Sequence, residues 1–212
     1  MEKIKNTVYG LISSLFIISA AVILGLNFRP LYYMNIQRIQ LLNESYSGSQ
    51  IKNNYDILID YLNPFYNGKL VLDRLPMSTF GEFHFYEVKM IFNLVYLLLG
   101  ATFILGIIIF FVQYRKRDFK YLKIASILTF VIPVLLGIPF IVDFNKAFVA
   151  FHEIAFSNDY WLFDPRIDPV INILPEWFFM YAAFLILIIM IILAAMAFFT
   201  GKFLSRKNQK TI

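Results

Sequence analysis

MIFNLVYLLLGATFILGIIIFF, residues 90–111, decides the fold. The run carries no ionisable acid or base, and it is long enough for a helix to cross a hydrocarbon layer of about 30 Å, which takes roughly 20 residues. Just beyond it, Arg115, Lys116, Arg117, Lys120 and Lys123 crowd a short turn, and a second apolar run follows at about 124–142. Further out on either side lie two more, at about 8–26 and 177–199. The reading is an all-α integral membrane protein: a four-helix transmembrane bundle forming one domain over 1–212, with outer segments at about 27–89 and 143–176.

Composition agrees. Hydrophobic residues make up 59% of the chain and charged residues 16%, where soluble domains have about 45–50% and about 25%. One soluble core cannot hide that excess. The chain has no cysteine, which removes disulfides, thiolate nucleophiles and cysteine-ligated zinc or iron–sulfur centres, and leaves redox chemistry poorly supported. The net charge of +5 does not point to nucleic acid, because it sorts by side of the bilayer. The N-terminal tail (Lys3, Lys5), the 112–123 turn and the C-terminal tail (Lys202, Arg206, Lys207, Lys210) hold eleven of the nineteen basic residues. Of the fourteen acids they hold only Glu2 and Asp118. Lys and Arg favour the cytoplasmic side, so both termini are expected inside and the acidic segments outside.

The first run opens like a secretory signal, and Ser19-Ala20-Ala21 resembles a cleavage region. Val22-Ile23-Leu24-Gly25-Leu26 carries the hydrophobicity to full spanning length, which predicts an uncleaved signal anchor. The spans contain only mild polar groups, among them Ser13, Ser14, Asn93, Thr102, Ser126 and Thr129. Ion and proton pathways need ionisable residues at depth, so transport is disfavoured. Pro133 and Pro139 are expected to bend the third span.

Chemistry therefore belongs outside. Ile51, Tyr55, Leu58, Ile59 and Leu62 share one helical face, opposite Lys52, Asn53, Asp56 and Asp60, which predicts a helix lying on the membrane surface and ending at Asn63-Pro64. Thr79 with Glu82 fits a capping box, so the second span is expected to begin as a helix near Phe80. On that helix His84 precedes Met90 by six residues, about 9 Å above the apolar run, and Glu87 shares its face, placed to hold the imidazole. In the second outer segment Phe144, Phe148, Phe151 and Ala155 fall at helical spacing with His152 and Glu153 among them, before Ser157-Asn158-Asp159 breaks the pattern. Trp161 suits an aromatic belt, and Asp168-Pro169 reads as cap and first residue of a short helix.

His84 and His152 are the only histidines, both in outward interfacial positions, and imidazole is the group suited to proton transfer near neutral pH. There is no Gly-x-Ser-x-Gly elbow, zinc-binding His-Glu-x-x-His helix or phosphate-binding loop. Ser78 and Thr79 are simpler as helix caps and Ser157 as a turn residue. No ligand spacing supports a metal, and no cofactor is expected. Asp159, Asp164, Asp168 and Glu176 cluster in sequence with Arg166. Two readings stay open for them: a solvated loop, or a pocket that holds an ammonium group or orients His152.

Gly81-Glu82-Phe83-His84-Phe85-Tyr86-Glu87-Val88-Lys89, Phe151-His152-Glu153-Ile154-Ala155-Phe156-Ser157-Asn158-Asp159-Tyr160-Trp161, and Pro175-Glu176-Trp177-Phe178-Phe179 together resemble the bacterial lipoprotein intramolecular transacylase family. Members make lyso-form lipoproteins in low-GC Gram-positive bacteria, moving an acyl chain from the diacylglyceryl group on a lipoprotein's N-terminal cysteine to that cysteine's α-amino group. The resemblance implies a multi-pass protein of the cell membrane, working at the extracytoplasmic interface on a diacylated lipoprotein among membrane lipids. A monomer is expected. It further implies His84 as general base and His152 as the partner that returns a proton or stabilises the oxyanion, or the same roles exchanged. Glu87 and Glu153 would tune the histidines, and Asp159, Asp164 and Arg166 would shape the pocket. Two other classes compete: a non-enzymatic membrane interaction module, and an interfacial lipid ester hydrolase.

Overall fold

A computed structural model describes residues 1–209. Among them the chain is helical, without a strand: α1 (Glu2–Asn27), α2 (Pro30–Tyr33), α3 (Ile36–Leu42), α4 (Gly48–Tyr61), α5 (Thr79–Lys116), α6 (Lys120–Val142), α7 (Phe144–Ala155), α8 (Val170–Ile173) and α9 (Glu176–Gln209). On the described residues α1, α5 and α9 are long and apolar enough to cross a membrane. The helix α6 occupies the remaining apolar run, the third in chain order. The chain divides into two compact units. One is made of residues 1–25, 95–138 and 184 onward, the other of residues 26–94 and 139–183.

The first unit is built from the apolar runs. Small residues on α1 let its neighbours approach closely: a side chain at Gly10 would collide with Ile124 of α6, and one at Gly25 with Ile186 of α9. Ala21 is fully buried between such positions, and the Thr129 hydroxyl donates to the buried Ser14 hydroxyl at 3.2 Å. A polar knot closes the α5–α6 turn, where Arg117 takes a left-handed conformation. There the Asn6 amide donates to Asp118 (2.9 Å) and accepts from Gln113 (3.2 Å).

In the second unit α4 starts at a capping box formed by Ser47 and Gln50. Its apolar face is the one predicted, but what covers it differs. Ile51, Tyr55, Leu58, Ile59 and Leu62 are buried in a protein core with Tyr32, Ile39, Val170, Ile173 and Phe178, rather than laid against lipid. Tyr32 stacks on Tyr55 at 3.7 Å and meets the edge of Phe178, while its hydroxyl donates to the Ile173 carbonyl (2.7 Å). The polar face is neutralised locally: Arg29 pairs with Asp56 and Asp60, and Lys52 with Asp56. Amphipathic spacing identifies which side of a helix avoids water, and protein and lipid satisfy that demand equally.

Two cap assignments change. α5 begins at Thr79 with Ser78, not Thr79, as its cap: the Ser78 hydroxyl accepts the Gly81 N–H at 3.0 Å. Asp168 does not cap the short helix α8, whose N-cap is Pro169 with no side-chain bond. Its carboxylate is used on α5 instead.

Candidate active site

The two histidine-bearing segments both belong to the second unit. The first is fixed from its N-terminus. Buried Asp168 accepts the Ser78 backbone N–H (2.6 Å) and hydroxyl (2.8 Å), and Ser78 in turn caps α5 through Gly81. Only glycine fits at position 81, since a Cβ there would lie 2.7 Å from an Asp168 oxygen. The helix cannot slide along its axis without breaking this contact, and His84 sits one turn further on.

His84 is 5% exposed, enclosed by Phe156 (ring centroids 4.7 Å apart) and Phe163 (5.5 Å). Its Nδ1 is buried without a hydrogen-bond partner. His152 lies in the last turn of α7, packed against Phe148 (4.2 Å) and Trp161 (4.8 Å). Its Nδ1 is 2.7 Å from the Phe148 carbonyl. A carbonyl only accepts, so Nδ1 carries the proton and, in the neutral ring, Nε2 carries the free lone pair. Phe156 borders both rings, and the imidazole centroids are 6.1 Å apart.

His84 precedes the apolar run that starts at Met90 and His152 the one that starts near Trp177, and both rings are held neutral. Burial pulls His84 down to about 4, helped by a smaller repulsion from His152. Burial also lowers His152, opposed in part by its bond to Phe148. Charging either ring inside an aromatic cage sacrifices hydration that nothing nearby replaces. The pair therefore presents two neutral imidazoles, able to accept a proton or donate an N–H, with ring centroids 6.1 Å apart.

The other expected residues scatter. Glu87 does not hold His84: its Oε1 accepts from the Asn158 amide (2.9 Å), and Oε2 is buried without a partner. Glu153 and Asp159 are exposed. Asp164 and Arg166 pair with each other on the surface (2.6 Å), and Glu176 accepts from Asn145 (2.9 Å). Sequence reasoning treated Asn158 as a helix break and gave Phe156 no role of its own. In the structure Asn158 spends both ends of its amide, donating to Glu87 and accepting the Tyr160 N–H (3.0 Å), so it ties the α5 segment to the loop after α7. The signal available was an amide-bearing residue where a helix stops, which marks a turn equally well.

Residues 7–179 match the family of the lipoprotein intramolecular transacylase Lit. The chain belongs to that family. A structure of the membrane-integral lipoprotein intramolecular transacylase Lit from Bacillus cereus superposes with a TM-score of 0.91 at 37% identity, covering 97% of this chain and 98% of that one. Two further structures of the Bacillus cereus transacylase, one with a histidine-to-arginine and one with a histidine-to-alanine substitution, give 0.88 at 35% identity and 0.90 at 36%. They cover 100% and 99% of this chain, and each is covered to 96%. No curated protein matches. As a transacylase of this family the chain is a multi-pass membrane enzyme that acts on lipoproteins, and its three distinctive segments from Gly81 to Phe179 lie within the matched region.

Proposed function

We propose that this transacylase moves an acyl chain from the diacylglyceryl group of a lipoprotein to the α-amino group of the same N-terminal cysteine, with His152 as general base and His84 as donor to the carbonyl oxygen. The observation that carries this reading is the pair of neutral imidazoles 6.1 Å apart, one of them with Nδ1 committed to the Phe148 carbonyl. The balance is simple. The α-ammonium gives one proton to water and becomes an amine. The amine attacks the ester carbonyl while His152 Nε2 takes its second proton, and collapse returns that proton to the departing glyceryl oxygen, leaving an amide and an alcohol. Neutral His84 offers an N–H to the oxygen that gains charge between these steps. No acyl-enzyme is required, because donor and acceptor share one molecule and proximity supplies a large part of the rate.

Four spans, α6 being the third, with both termini cytoplasmic, place His84 and His152 at the outer interface of a bacterial cell membrane, where the ester bond of an anchored lipoprotein lies. Asp159, Asp164 and Arg166 act by shaping the loop that carries Trp161, and Glu153 stays at its solvent edge. The protein works as a monomer.

Mass spectrometry of lipoprotein N-terminal peptides from cells with and without the gene tests the reaction. Lyso-form peptides carrying an N-acyl group are expected only with the gene, and diacylglyceryl peptides with a free α-amine in both cases would reject it. His152→Ala and His84→Ala are each expected to lower the rate by about 100-fold or more, the scale of general acid–base and oxyanion contributions. Full activity in both variants overturns the assignment, and free fatty acid in place of N-acyl product would indicate hydrolysis.

A further inference from the structure

We infer that Glu87 is the receptor for the substrate's α-ammonium group, and so the residue by which the site selects lipoproteins whose N-terminus is still free. The inference rests on the reading of function given above and names a subsite within it. Glu87 stands three residues after His84 on α5, and residues so spaced share a helix face. Its carboxylate is divided. Oε1 accepts from the Asn158 amide at 2.9 Å, while Oε2 is buried without a partner among the described residues.

A carboxylate oxygen shielded from water and left unpaired is costly, and the natural complement is a cation. Several cations of the same unit are engaged elsewhere. Lys89, two residues on, donates to the carbonyls of Tyr61 (2.6 Å), Asn63 (3.3 Å) and Tyr66 (2.6 Å). Arg166 is paired with Asp164, and Lys146 with Asp143. The two imidazoles are held neutral in their cage and bring no charge. Asn158 cannot swing away to satisfy the second oxygen either, since its own carbonyl holds the Tyr160 N–H. The site thus keeps one fixed acceptor, joined through Asn158 to the loop carrying Trp161, for a positive group that the protein does not supply. An ammonium delivers charge and N–H donors together. Once that nitrogen is acylated it has lost its charge and keeps a single amide N–H, so the same oxygen that admits the substrate holds the product less tightly.

Two dialkyl ether lipopeptides test this, because an ether has no acyl group to transfer and binding is read without turnover. One carries a free α-amine and the other is Nα-acetylated, and each displaces a fluorescent lipopeptide from the full-length protein in nanodiscs. The wild type is expected to bind the free-amine form at least about 10-fold more tightly, the scale of one charge-assisted hydrogen bond. Glu87→Gln keeps the size of the side chain and its contact with Asn158, and is expected to bring the two forms within about 2-fold of each other. Glu87→Asp retains the charge and is expected to preserve part of the preference. Equal binding by the wild type, which needs no variant to fold, overturns the inference, as does an undiminished preference in Glu87→Gln. In either case formation of lyso-form peptide by the wild type would leave the proposed reaction standing, whereas its absence fails the reaction and not the subsite alone.

Discussion

An imidazole whose Nδ1–H is spent on a main-chain carbonyl has one lone pair left, and at His152 that lone pair is what the proposed mechanism uses. Its use depends on the ring being neutral, and burial extends the neutral range toward acid for both histidines: His84 from an ordinary 6.5 to about 4, and His152 in the same direction. The acidic limb of the kcat profile is therefore expected below pH 6.5. A midpoint at or above 6.5 would contradict the caged geometry. Stability follows the same sign. The unfolded chain binds protons on histidine below about 6.5 while the folded one does not, so the fold loses stability as pH falls from 6.5 toward 4. Thermal unfolding in detergent across that range should show the loss, and His84→Gln should flatten it. The histidines themselves were legible from their type and their place ahead of two spans. Their tautomers and shared cage were not, because Phe148, Phe156 and Trp161 read as generic interfacial aromatics until the chain is folded.

At the scale of elements, the position of α5 depends on a contact 90 residues distant in sequence, Asp168 to Ser78. Removing the carboxylate strands a half-buried N–H and hydroxyl, and Asp168→Ala is expected to cost about 1–3 kcal/mol of stability. It should also lower kcat, since the first turn that fixes His84 loses its anchor. Asp168→Asn keeps an acceptor and should fall between the two, as read by thermal unfolding and lyso-peptide formation. Sequence reading recognised that a cap stood near Thr79 and that Asp168 was suited to capping. It paired each with its nearest neighbour, because propensity is local and this partnership is not. The same limit applies to α4, whose buried face was plain from Ile51, Tyr55, Leu58 and Ile59 while its partners Tyr32, Val170 and Phe178 lie in remote stretches.

For the molecule as a whole, hydropathy displayed the apolar helices and charge displayed a sidedness, so the membrane class was readable before any coordinates. The aromatic core of residues 26–94 and 139–183 was not, because its members are spread over segments that each look like loop or surface helix. Sidedness has a direct test, made clean by the absence of native cysteine. Single replacements Ser157→Cys, Lys116→Cys and Ser205→Cys, probed in intact cells with a membrane-impermeant maleimide, should label at 157 alone. Labelling at 205 would place the C-terminus outside, and labelling at 116 would reverse the α5–α6 turn.

The close approach at Gly81 carries a further consequence for how such a sequence can change over generations. Serine at 78, glycine at 81 and aspartate at 168 fit one another so tightly that a novelty at any one of them is penalised until another yields. Drift at these three places should accordingly be joint, with pairs replaced in concert across related enzymes, while the exposed positions beside them, Glu82 and Phe83, wander freely.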